Sequence, residues 1–225
     1  MTDDSTLSKN LYNRQCSKYC KVQLGDRLTS SARKGTYSLM GNIKNKKMLF
    51  AGCGNGHECE TAARENAIVT GIDVSDKEIL FAKKNIKDAK FLVMDFEKTV
   101  FKKNSFDIIV SIFSIMYKKN LISVLKEWRR ILKADGFVII VVPHPVRKMI
   151  AYNNMNYFVR GKRWENWKGI KRFNYYRLFE DYVDCFVGSK FKIAKLLEPK
   201  LNKNEIENEI DIKHPNFLIF KLVKT

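Results

Sequence analysis

Apolar residues along this chain fall into short runs separated by segments of helical spacing. Lys47–Ala51, Ile68–Asp73, Lys90–Met94, Phe106–Phe113 and Phe137–Val142 each have strand length. The fourth, Phe-Asp-Ile-Ile-Val-Ser-Ile-Phe, is apolar almost throughout, as a central parallel strand buried on both faces should be. Between these runs lie helical patterns. Glu58–Asn66 is one. Ser75 with Glu78 forms a capping box that opens another, whose apolar side carries Ile79, Leu80 and Ala82. Leu121, Ile122, Val124, Leu125, Trp128, Ile131 and Leu132 mark a third, read as closing at Asp135-Gly136. Pro143 stops the fifth strand. Strands alternating with helices predict an α/β fold, a doubly wound and mostly parallel sheet with right-handed crossovers.

The two ends of the chain read differently. Residues 1–24 predict a polar tail and a short helix lying against the core. Ser30–Asn45 reads as a loop or weak helix, so 1–45 stands apart from a main domain at 46–225. After Pro145 the pattern turns irregular, basic and aromatic over 146–177, an insert placed to cap the crevice at the carboxyl ends of the strands. One more helix follows. Phe191–Leu197 and Asn216–Val223 then have no helix between them, which predicts an antiparallel hairpin at the sheet edge and a total of seven strands.

The first strand runs into Gly52-Cys53-Gly54-Asn55-Gly56, and the second ends on Asp73. Glycines let a backbone turn sharply and approach a ligand closely. The helix that follows presents its free N–H groups. An acid at the next strand tip can accept hydrogen bonds from ribose hydroxyls. The unit therefore reads as nucleoside-binding. G-x-G-x-G is not the G-x-G-x-x-G of a dinucleotide fold, and no Gly-Lys-Ser/Thr follows to make a P-loop.

With these residues the chain resembles the class I S-adenosylmethionine-dependent methyltransferases, over about residues 46–225, and the resemblance implies their Rossmann-like fold and cofactor. It implies that Gly52, Cys53, Gly54, Asn55 and Gly56 form the cofactor loop and that Asp73 binds the ribose with Val74 beside the adenine. Met94, Asp95 and Phe96 fall where the family's third strand meets the adenine amino group. Ser111 lies near the methionine part. His144-Pro145, Tyr175-Tyr176-Arg177-Leu178, Glu198-Pro199 and Pro215-Asn216-Phe217-Leu218 are similar to a small-molecule branch. Two positions depart from the family. Phe50 stands where an acid usually helps hold the methionine amino group, and Tyr176 stands where many relatives have His.

The implied reaction is an in-line displacement in which alignment supplies much of the acceleration. A base matters only where the acceptor carries a proton that must leave early. Candidates are His144, Tyr117 and Tyr176. Each also has a packing reading: His144 beside two prolines, Tyr117 above the cofactor, Tyr176 as a lid aromatic. Tyr152, Trp164 and Arg177 are candidates for the acceptor. Arg177 either clamps an anion or pairs with Asp181 one helical turn on. The insert's aromatics either stack a planar acceptor or close a small core of their own.

Composition narrows this only slightly. The chain has 225 residues, enough for one α/β domain and a small cap. No apolar run reaches membrane-spanning length and the N-terminus lacks a signal pattern, so no membrane association and a cytoplasmic location are expected. The five cysteines fit no common zinc spacing, and no metal ligands are assigned. A net charge of +18 suits an anionic partner, but the lysines are spread evenly. The expectation is methyl transfer to nitrogen or oxygen of a small molecule, anionic or aromatic in character. An RNA or protein methyltransferase, or a non-catalytic S-adenosylmethionine-binding protein, are the alternatives. Against an RNA acceptor, no Asn/Asp-Pro-Pro-Tyr/Phe follows the fourth strand, where Ser111-Ile112-Phe113-Ser114 stands.

Overall fold

The computed structural model describes residues 4–25, 29–151, 156–206 and 209–225. The elements are α1 (Asp4–Gly25), α2 (Ser30–Met40), β1 (Lys47–Ala51), α3 (His57–Arg64), β2 (Ile68–Asp73), α4 (Asp76–Asn85), β3 (Ala89–Val93) and β4 (Phe106–Ile112). After a 3-10 turn at Ile115–Tyr117 come α5 (Leu121–Ile131), β5 (Leu132–Pro143), α6 (Pro145–Ala151), β6 (Gly161–Trp167) and β7 (Ile170–Tyr176). The chain ends with α7 (Phe179–Gly188), β8 (Phe191–Leu197), α8 (Glu209–Lys213) and β9 (Phe217–Lys224).

Seven strands form one sheet in the order β3-β2-β1-β4-β5-β9-β8. β1 to β5 pair in parallel, and β9 pairs antiparallel with both β5 and β8. This is the α/β arrangement anticipated, with the last two strands at the edge. The uninterrupted apolar runs have a simple cause, since successive side chains point to opposite faces and both faces are covered. Leu49 and Ile109 pack with Trp128 of α5 and Phe186 of α7. Met48, Phe50 and Val110 pack with Ala32 of α2, Cys59 and Ala62 of α3, and Ile79 of α4.

Local readings are corrected at several points. α1 is a full 22-residue helix rather than a short one, and Ser30–Met40 is helical. α5 stops at Ile131, ahead of Asp135-Gly136, because Leu132 already pairs with Phe106. Gly136 is needed for another reason: a Cβ there would sit 2.7 Å from the Asp107 carbonyl oxygen. Ser75 caps α4 by accepting the Glu78 N–H at 3.2 Å, but the reciprocal half of the capping box is absent, since the Ser75 N–H goes to Asp73 Oδ1 at 2.9 Å. Part of the insert is regular. Its β6 and β7 form an antiparallel hairpin that packs on α1 and on the 3-10 turn.

Candidate functional site

The carboxyl ends of β1, β2 and β4 open into a hollow with about 930 Å³ of empty space, counted out to its mouth. Its floor is the glycine loop. Gly52 adopts φ +75°, and a Cβ there would lie 2.3 Å from that of Ser114, so only glycine lets the loop cross this close to β4. Ser114 is fixed in turn. Its Oγ donates to the Ala51 carbonyl at 2.5 Å and lies 2.7 Å from Ser111 Oγ.

Asp73 stands at the tip of β2 and lines the hollow. Its oxygens accept the N–H groups of Gly54 and Ser75, each at 2.9 Å. Burial pushes its carboxyl up against the pull of these bonds. A carboxylate has about four lone-pair directions, so two bonds leave capacity for a diol. Val74 and Phe96 line the same end.

Of the proposed cofactor residues, Gly52, Cys53, Gly54, Asp73, Val74 and Phe96 reach this wall. Asn55, Gly56, Met94, Asp95 and Ser111 are not among its lining residues. Asp95 differs most from expectation. Its Oδ2 is taken by Lys118 Nζ at 2.7 Å and by the Ser5 hydroxyl, and its Oδ1 accepts the Glu97 N–H at 2.9 Å. Burial would raise its carboxyl, but these bonds outweigh that and hold it below the usual range. Lys118 is itself buried. The cost of burial is overcome by Asp95 and by Glu97 at 2.9 Å, so its ammonium is held charged.

Sequence reasoning missed the roof. Ser5, Ser8, Tyr12 and Tyr19 of α1 all line the hollow. Tyr12 and Tyr19 suggest a helix lying against the core, but a helix this polar shows no strong apolar stripe to place it over the hollow. Arg33 of α2 and Glu58 of α3 were missed as well. They line the hollow near Phe50 and form an ion pair, with side chains 20% and 12% exposed. Glu58 thus puts a carboxylate at the hollow one strand-to-helix turn after Phe50. Phe50 itself packs into the core beneath α2 and α3.

The proposed catalytic and acceptor residues divide. Tyr117 lines the hollow, its hydroxyl 2.6 Å from that of Tyr12, and burial pushes both hydroxyls up. His144 is not brought to the hollow wall. Its Nδ1 accepts the Val146 N–H at 3.2 Å, which leaves Nε2 to donate to Glu198 at 2.8 Å. Burial lowers its pKa despite Glu198. Tyr176 donates to Glu165 at 2.8 Å inside the hairpin. Arg177 does not pair with Asp181. It donates to the carbonyls of Lys118 and Lys119, the latter at 2.8 Å, while Asp181 accepts from Leu178 N–H at 2.7 Å and Arg160 at 2.9 Å. Trp164 is half exposed, packed edge-on to Phe173 with Lys171 over its ring. Tyr152 lies outside the described residues.

Comparison with known proteins bears on the fold and family. Residues 49–140 match a family described as a methyltransferase domain. The chain is 27% identical over 209 residues to an uncharacterized protein of Haemophilus influenzae, covering 81% of this chain and 82% of that one. It is 30% identical over 135 residues to a demethylmenaquinone methyltransferase of Thermotoga maritima, covering 58% of this chain and 59% of that one. A solved S-adenosylmethionine-dependent methyltransferase of Mesorhizobium loti superimposes with a TM-score of 0.75 at 20% identity, over 87% of this chain and 99% of that one. Residues 49–140 match the methyltransferase-domain family, and the fold is the one shared by solved S-adenosylmethionine-dependent methyltransferases.

Proposed function

We propose that the hollow holds S-adenosylmethionine with its ribose on Asp73, its adenine between Val74 and Phe96, and its methionine zwitterion on Arg33 and Glu58. The methyl then passes to a nitrogen or oxygen of a small molecule. The donor set fits the cofactor. It supplies a carboxylate with free lone pairs for the diol, apolar walls for the base, and one cation and one anion for an amino acid's two charges. When bound, S-adenosylmethionine supplies a methyl already activated by its sulfonium. The chain's own residues bind, align and exclude water.

The observation that carries a small acceptor is the roof. α1 crosses the hollow and the β6–β7 hairpin packs on α1 and the Tyr117 turn, so the acceptor space is partly roofed. Tyr12 and Tyr117 bring two hydroxyls, pushed up by burial and so protonated at neutral pH, to its wall. They serve to orient an acceptor by hydrogen bonding rather than to take its proton. The Thermotoga relative, named for a demethylmenaquinone, supports an acceptor of this size class.

The test has two parts. S-adenosylhomocysteine should raise the melting temperature, and no shift at millimolar ligand contradicts the cofactor site. With labelled S-adenosylmethionine and a size-fractionated extract, label should enter the low-molecular-mass pool. Label confined to RNA or protein contradicts the small acceptor.

A further inference from the structure

Two thiols and a carboxylate meet where α1 crosses α4. Cys16 and Cys20 stand one turn apart on α1 and so share a face. Glu78 lies in the first turn of α4. Both sulfurs and a Glu78 oxygen lie within 4.8 Å of one another, with Cys20 Sγ 3.8 Å from Glu78 Oε2. Glu78 is 1% exposed, and its Oε1 is buried with no hydrogen-bond partner. No Lys or Arg pairs with Glu78 among the described residues. A buried carboxylate left this way is costly unless a cation or donor completes it. Burial accordingly pushes its carboxyl up to about 7. Its helix does not need the side chain, since the capping bond at this end uses only the Glu78 N–H.

We propose that Cys16, Cys20 and Glu78 bind a thiophilic divalent cation of the zinc class, which fastens α1 to α4 at the rim of the cofactor hollow. Two sulfurs and one oxygen are a ligand set for zinc rather than for magnesium or calcium, which prefer all-oxygen shells. Zinc–sulfur bonds of about 2.3 Å need only a small closing of the present separations. Cys16 is partly exposed, which gives the ion a way in and leaves a fourth position for water. Binding displaces the thiol protons and neutralises the carboxylate, so each ligand's burial cost turns into metal affinity. Cys-x3-Cys alone fits no common zinc spacing. The third ligand comes from 58 residues further on, where only the fold reveals it. Glu78 also lines the hollow, so the two sites adjoin, but the test reads the metal alone and needs no S-adenosylmethionine.

The experiment uses the full chain stripped of metal. Zinc is titrated against a chromophoric chelator, and cobalt(II) is added separately to read thiolate-to-metal charge transfer. The expected result is one tight equivalent, an intense near-ultraviolet cobalt–thiolate band and a zinc-dependent rise in melting temperature. Cys16→Ser and Cys20→Ser lose all three, Glu78→Gln weakens zinc binding, and Cys185→Ser keeps them. Cys16 is partly exposed, so Cys16→Ser carries the test if Cys20→Ser fails to fold. Absence of the cobalt band in the wild type, or its persistence in the cysteine variants, overturns the proposal.

Discussion

In the proposed site, Glu58 takes the part of the acid that Phe50 replaces. The apolar ring at Phe50 fills the core beneath α2 and α3, and the negative charge stands at Glu58, held by Arg33. Arg33→Ala should weaken S-adenosylhomocysteine binding by about 1.5–3 kcal/mol, the scale of a lost charged hydrogen bond, with the melting temperature of the free protein little changed. Titration calorimetry checks this. Glu78 gives a pH prediction. Its folded pKa of about 7 lies above the ordinary 4.5, so the folded state holds that proton more tightly. Its contribution is therefore fully present below about pH 4.5 and is lost as pH rises toward 7, on the order of 3 kcal/mol in metal-free protein. His144, with its lowered pKa, works in the opposite direction through the same window, so the measurement is the difference from Glu78→Gln. Urea unfolding from pH 4.5 to 8 should show the variant gaining on the wild type as pH rises. A constant difference would contradict the assignment. The sequence displayed Asp73 and the glycine loop because strand, turn and helix signals coincide there. Arg33 and Glu58 were hidden because their pairing depends on how α2 docks on α3, which no local pattern encodes.

At the scale of elements, β1 to β5 and α5 were readable because burial on two faces or one stripe imposes a strict period. Trp128 illustrates the coupling of packing to the site. It is fully buried at the centre of α5, and its Nε1 donates to the Phe96 carbonyl at 3.0 Å, behind the wall of the hollow. Trp128→Ala should cost about 3–5 kcal/mol of stability in urea unfolding. α1 was underestimated for the converse reason. It is polar on most sides, and its role comes from what it covers. Its Tyr12 and Tyr19 meet edge-on, and Tyr12 meets Tyr117 likewise. The insert looked irregular because its strands alternate aromatic and basic residues. Arg172 pairs with buried Glu165 on one face of the hairpin, while Phe173 packs against Tyr117. Tyr117→Phe should therefore leave S-adenosylhomocysteine affinity nearly unchanged and impair acceptor turnover.

Over the whole molecule, one basic patch lies at the end opposite the site. Lys103, Lys126, Arg129, Arg130 and Lys224 surround a shallow depression at the amino ends of the parallel strands, where Lys103 and Arg129 push the Lys224 pKa down beyond what burial does alone. The hollow opens at the carboxyl ends. A polyanion bound at the basic patch would not bring its own atoms to the methyl. Among the described residues, no helix is long and apolar enough to cross a membrane. Binding of a generic RNA duplex should be weak at physiological salt, and tight binding with a steep salt slope would contradict this arrangement.

The central claim is that the hollow between the glycine loop and α1 holds the cofactor through Asp73. Calorimetric titration of S-adenosylhomocysteine into the wild type and Asp73→Ala tests it most directly. The account predicts saturable binding to the wild type and a loss of about 1.5–3 kcal/mol in the variant. Equal affinity in the two proteins, or no binding to the wild type, would contradict it.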